Sequence, residues 1–328
     1  MAMKSVRLWA AAAALALGMT QIAPAQAGTL SIGMTTWVGY GPLFLARDLG
    51  YYKDMGLDVD LQIIEEGSLY MAAMAGGKIS GTADTLDDLM KYRSPDFCFN
   101  YVLGLDESHG GDGVVVTSDI KSIADLKGKE VAMNEGSVSE FFFAILLKRA
   151  GMSLKDVTVS NMTADDAASA FIAGRVPAAV TWEPNLTTVR TQNKGKVLID
   201  SSTVPGAIVD VLALRCDVIK SRPDDVKALV KGYYKAIDYM KKNPEKAYAI
   251  MAKAVGGYLQ KPEDFAAAAK GVQYFDRDRN LAFWGTAEKG QAKDLIAYSN
   301  DIWGGLGKLK TPGTYADLVN TDFIALKP

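Results

Sequence analysis

Short apolar runs alternate with amphipathic stripes through the first two thirds of the chain. Residues 30–34 (LSIGM) read as a strand. Pro42 then sits where a first helical turn tolerates it, and Leu43-Phe44-Leu45-Ala46 continue a helix that ends near Gly50. Val59 to Ile64 is a second strand; residues 68–75 are helical, Gly76-Gly77 stop them, and Ile79 to Ala83 is a third strand. A helix from Leu86 to Tyr92 and an apolar strand from Phe97 to Leu103 follow. Strand alternating with helix predicts a parallel sheet with helices on both faces.

The middle of the chain repeats the scheme. Strands are expected at Val114 to Val116, Val131 to Met133, Val157 to Val159, Ala178 to Val180 and Val197 to Ile199. Helices are expected from Ser139 to Ala150 and from Asp165 to Ala173, closed by Gly151 and Gly174. A weak internal echo, Gly77 to Ala83 against Gly174 to Val180, suggests two similar lobes. Beyond a strand from Ile208 to Leu214 the pattern turns helical. Val226 to Lys242, Glu245 to Ala254, Glu263 to Gly271 and Ala287 to Trp303 form the series, with Pro223, Pro244 and Pro262 at helix starts. No strand signal separates them, so they should pack on an existing lobe. The simplest topology places residues 28–112 and 209–328 in one lobe and 113–208 in the other, with two crossings that make a hinge and a cleft.

The first 27 residues stand apart. Lys4 and Arg7 precede an apolar run at residues 9–19, and Ala25-Gln26-Ala27 supplies a small-x-small cleavage pattern, so 1–27 reads as a signal peptide. The run is too short for a bilayer span of about 20 helical residues. The remainder carries 34 basic and 38 acidic residues, which argues against a nucleic-acid partner. Cys98 and Cys216 would meet an oxidising compartment, where a bridge and two buried thiols both remain open.

Enzymatic chemistry is sparse. His109 is the only histidine, and no G-x-S-x-G, Walker or G-x-G-x-x-G pattern occurs. Gly104 to Gly113 is glycine-rich but acidic, better suited to a crossing between lobes than to phosphate. In open α/β sheets ligands bind beyond the carboxyl ends of strands. Five loops there carry the candidate residues: Trp37 and Tyr40 after the first strand, Asp84 after the third, and Asp106 after the fourth. The other two are the Glu135-Gly136-Ser137 helix start and Trp182-Glu183. Ser137 serves equally as a plain N-cap, and Asp87 and Asp88 as first-turn carboxylates.

At these loops the chain resembles the substrate-binding proteins of ABC importers in the taurine/nitrate/sulfonate group, related to the NMT1/THI5-like domain. Residues carrying the resemblance are Thr36 to Pro42, Gly50 to Val59, Ala124 to Lys129, Glu135-Gly136-Ser137 and Thr181 to Pro184. It implies a type II periplasmic-binding fold, α/β, with two lobes of mainly parallel sheets joined by two crossover strands. It also implies a periplasmic monomer that encloses a small solute without catalysis or cofactor, and meets the membrane only through a permease driven by a separate ATPase. The ligand is less directly implied. No Arg or Lys lies in the five loops, whereas Asp84, Asp87, Asp106, Glu135 and Glu183 do. A buried anion would be repelled. The expectation is therefore a nitrogenous, cationic or zwitterionic solute: an amine, a guanidine-like group, a pyrimidine or taurine. An aliphatic sulfonate or nitrate is the alternative. An enzyme resembling thiamine-pyrimidine synthases is the alternative from another class, with one histidine and no cysteine-rich motif against it.

Overall fold

Apolar alternation becomes two sheets in the computed structural model, which describes residues 28–328. The expected signal peptide lies outside the described residues. The chain begins with β1 (Leu30–Met34), α1 (Gly41–Asp48), β2 (Val59–Ile63), α2 (Gly67–Ala75), β3 (Gly81–Thr85), α3 (Leu86–Met90) and β4 (Phe99–Ser108). It continues with β5 (Asp112–Val116), β6 (Glu130–Met133), α4 (Val138–Arg149), β7 (Thr158–Asn161), α5 (Ala164–Ile172), β8 (Ala178–Trp182), α6 (Asn185–Gln192) and β9 (Lys196–Asp200). Then come β10 (Val209–Arg215), α7 (Cys216–Ser221), α8 (Pro223–Lys242), α9 (Pro244–Val255) and α10 (Pro262–Ala268). The last elements used below are β11 (Val272–Tyr274), α11 (Arg277–Trp284) and α12 (Gln291–Gly305).

One sheet has the order β11-β4-β10-β3-β1-β2 and the other β7-β6-β8-β5-β9. The chain passes between them at residues 109–111 and 201–208. Both sheets are mixed, not mainly parallel. β1 runs parallel to β2 and β3, and β6 to β7 and β8, but β10 is antiparallel to β3 and β4, and β5 to β8 and β9. The crossings are the reason. A strand that enters a sheet from the cleft must run away from it, while the strands built by βα alternation end there. The short edge strand β11 pairs antiparallel with β4 inside the region expected to be largely helical, without a strand signal. Three residues are too few for an alternation to register.

The α8 stripe Val226, Leu229, Val230, Tyr233 and Ile237 is buried at helical spacing, in the same core as Leu30 and Ile32 of β1. Burial of such side chains contributes roughly 1.5–3 kcal/mol each. The α12 helix serves both lobes. Ala292, Leu295 and Ile296 join the core of the first sheet, whereas Ile302 and Trp303 join that of the second, where Trp303 stacks on Phe141. Cys98 and Cys216 are bridged, with their Cα atoms 5.5 Å apart, which closes the alternative of two thiols.

Candidate functional site

Between the sheets lies a cavity of about 290 Å³, at the carboxyl ends of the first sheet's parallel strands and around the start of α4. Its size suits a small solute, near the low end of roughly 300–1,000 Å³ for ligand pockets.

The loop after β1 supplies the aromatic floor. Trp37 donates its indole N–H to Asp106 Oδ1 at 3.2 Å, and the Tyr40 hydroxyl donates to Asp210 Oδ1 at 2.5 Å. Gly39 permits this, because a Cβ there would stand 2.1 Å from Asp106 Oδ2 and 2.3 Å from the Trp37 indole nitrogen. Asp84, next to last in the buried strand β3, accepts from the Tyr70 hydroxyl (2.5 Å) and the Thr85 N–H (2.7 Å). One turn later Asp88 pairs with Lys91 at 2.7 Å, both side chains nearly buried. From the second sheet come Trp182 at the end of β8, Asp112 opposite it on β5, and the Asn134–Val138 loop.

The expected residues divide by position. Trp37, Tyr40, Asp84, Ser137 and Trp182 line the cavity. Asp106 and Glu183 lie outside its lining. Asp106 sits beneath Trp37, while Glu183 accepts from Arg190 at 2.6 Å and from the Thr187 N–H at 3.0 Å at the start of α6. Ser137 caps α4, accepting from the Ser139 N–H and donating to the Asn134 carbonyl.

Sequence reasoning missed Glu65, Glu66, Tyr70, Lys91, Tyr92, Asp112 and Asp210 on the cavity wall. Glu65 and Glu66 follow β2, so the strand-end rule already pointed to them. Asp210 interrupts the apolar run Ile208 to Leu214, a signal passed over. Lys91 corrects the expectation of a wall without a basic side chain: it reaches the cavity from the end of α3, outside the five loops. Its ammonium also lies 4.1 Å from the Trp303 ring centroid.

Among the described residues seven carboxylates line the cavity (Glu65, Glu66, Asp84, Asp88, Asp112, Glu135 and Asp210), and Lys91 is the one lysine or arginine beside them. Burial pushes Asp84 well above the ordinary carboxylate range, aided by the neighbouring Asp88 charge. It does the same to Asp210, where Asp106 adds to the shift. Burial also lifts Asp112 to about 7 and Asp106 to about 8. The Tyr40 and Tyr70 hydroxyls are raised by burial too and remain donors. Asp84, Asp112 and Asp210 therefore favour the protonated form until a countercharge arrives.

Residues 37–247 match the family model described as NMT1/THI5 like. A putative binding protein of Brucella abortus (strain 2308) is 24% identical over 296 residues, covering 86% of this chain and 87% of that one. The taurine-binding periplasmic protein of Escherichia coli is 25% identical over 224 residues, 67% of this chain and 69% of its own. Among solved structures, the periplasmic aliphatic sulphonate binding protein of Escherichia coli superposes with a TM-score of 0.73 at 19% identity, covering 91% of this chain and 99% of that one. That likeness gives the fold as the type II periplasmic-binding fold.

Proposed function

The chain belongs to the NMT1/THI5-like family, and from that premise we propose that it is the periplasmic solute-binding component of an ABC importer. It captures a small solute between its two lobes and passes it to a membrane permease served by a separate ATPase. The taurine-binding and sulphonate-binding relatives support this reading, as do the apolar run and Ala25-Gln26-Ala27 at the chain start. No turnover is proposed: the sole histidine, His109, lies at the first crossing and outside the cavity lining.

The solute is nitrogenous and cationic, or zwitterionic with its positive end innermost. The excess of carboxylates over Lys91 carries this reading, since Lys91 is already paired with Asp88. A cation there would pair with Asp84 and Asp210 as they give up the protons that burial favours. Trp37, Tyr40 and Trp182 offer aromatic surface to a flat or cationic group, with Asp84 and Asp210 as acceptors. Ser137 contributes from the opposite lobe. An aliphatic sulfonate or nitrate is the second reading, favoured by the α4 start, by Lys91 and by the sulphonate-binding relative.

Native mass spectrometry of the protein purified without unfolding tests the assignment. A copurifying solute of small mass bearing an amine, amidine, guanidine or aminopyrimidine group is the expected result. A bound sulfonate or nitrate would replace the first reading with the second.

A further inference from the structure

Lys91 ties the two lobes together across the cavity. Its ammonium donates to Asp88 Oδ1 at 2.7 Å and to the Gly136 carbonyl, and lies 4.1 Å from the Trp303 ring centroid. Asp88 and Lys91 sit on α3 and at its end, in the first lobe, whereas Gly136 leads into α4 in the second. Among the described residues this is the one hydrogen bond that joins cavity-lining residues of the two lobes. Trp303 extends the junction: its ring stacks on Phe141 of α4, and its indole N–H donates to Asp87 Oδ2 of α3 at 3.2 Å.

We propose that Lys91 is a positioning residue: its ammonium holds the Asn134–Val138 loop against the first lobe and so governs how long a solute is retained. The inference rests on the reading of this chain as a solute-binding protein, and not on the charge of the solute. Lys91 and Gly136 both line the cavity, so the bond between them is part of the wall that encloses an occupant. The Lys91 side chain is 9% exposed, and an ammonium so enclosed needs its acceptors. Separating the lobes would remove the Gly136 carbonyl and put water in its place, while Asp88 stays with Lys91 on the same lobe. A hydrogen bond from a charged donor carries a net preference of about tenfold or more for the joined state. Asp88 aims the ammonium, so the clamp is set before a solute enters.

Nitroxide labels at Leu69→Cys and Lys155→Cys, exposed positions in the first and second lobes, report the distance between lobes by pulsed electron resonance. The ratio of closed to open populations is measured for the doubly labelled protein and its Lys91→Met and Lys91→Arg variants. Each is examined free and with saturating guanidinium or methanesulfonate. Lys91→Met should lower the ratio about tenfold, and Lys91→Arg, which keeps a charged donor, should restore most of it. If Lys91→Met fails to fold, the Lys91→Met/Asp88→Asn double variant, which leaves no orphaned carboxylate, decides instead. An unchanged ratio overturns the proposal even where affinity falls, because Lys91 would then touch the solute without holding the lobes. The absence of a closed population in every condition overturns it as well. If neither probe binds, the ratio in the free protein decides the role of Lys91, while copurification of a solute judges the solute-binding reading separately.

Discussion

Asp106 and Asp210 lie opposite each other on the antiparallel strands β4 and β10, and each accepts a hydrogen bond from an aromatic side chain of one loop, Trp37 and Tyr40. Two buried carboxyl groups so placed do not both ionise without a countercharge. Asp210 faces the cavity and Asp106 supports it from behind. On the proposed cationic reading the pair is a proton-loaded receptor for positive charge, and solute binding is coupled to proton release.

A dependence on pH follows, with a definite sign. The folded-state values, about 8 for Asp106 and about 7 for Asp112, exceed the ordinary value of 3.8. At these two positions the empty folded protein thus holds more protons than the unfolded chain between about pH 4 and pH 8. The contribution of these two groups to stability is fullest below that window and declines as pH rises through it. Affinity for a cation runs the other way, rising by up to about tenfold per pH unit for each proton displaced. Calorimetry in buffers of different ionisation enthalpy should register proton release near pH 7. An affinity flat from about pH 6 to 8 would contradict the exchange.

Trp37→Ala and Asp84→Asn should each weaken solute binding by about 1–3 kcal/mol while the fold remains intact. Trp37 offers the aromatic face and Asp84 a carboxylate already oriented by Tyr70. Unchanged affinity in both variants would move the site away from the first lobe's loops.

Glu183→Ala should behave differently. Its carboxylate holds Arg190 and the Thr187 N–H and stands outside the cavity lining. The expected loss is about 1–2 kcal/mol of stability in denaturant titration, with solute affinity little altered. A large affinity loss at unchanged stability would place Glu183 in contact with the solute.

The Cys98–Cys216 bridge closes a loop across 118 positions of the chain. Replacing both cysteines by serine should cost about 2–4 kcal/mol of stability. Neither residue lines the cavity, so affinity measured well below the melting temperature should be preserved. Equal stability of the unmodified protein and the double-serine variant in urea would contradict that cost.

Much of this arrangement was legible in the chain. The βα alternation carried the strands of the first lobe, and the strand-end rule led to Trp37, Tyr40, Asp84 and Trp182, which the fold brings to one cavity. What stayed hidden depends on pairings between distant segments. Asp210 gains its meaning only when β10 slots between β3 and β4, more than a hundred residues from either. Lys91 looks like a plain helix-end cation until α3 carries it against Gly136 and Trp303. The orientation of Glu183 is set by Arg190 one helix later, a contact that no loop motif encodes.

Solute charge is the central claim, and a calorimetric panel on the unmodified protein tests it most directly. Guanidinium, a simple amine and an aminopyrimidine are compared with taurine, an alkanesulfonate and nitrate. The account predicts saturable binding among the nitrogenous cations, strengthening with pH, and none for the alkanesulfonate or nitrate. Tight binding of the alkanesulfonate or nitrate alone would contradict it.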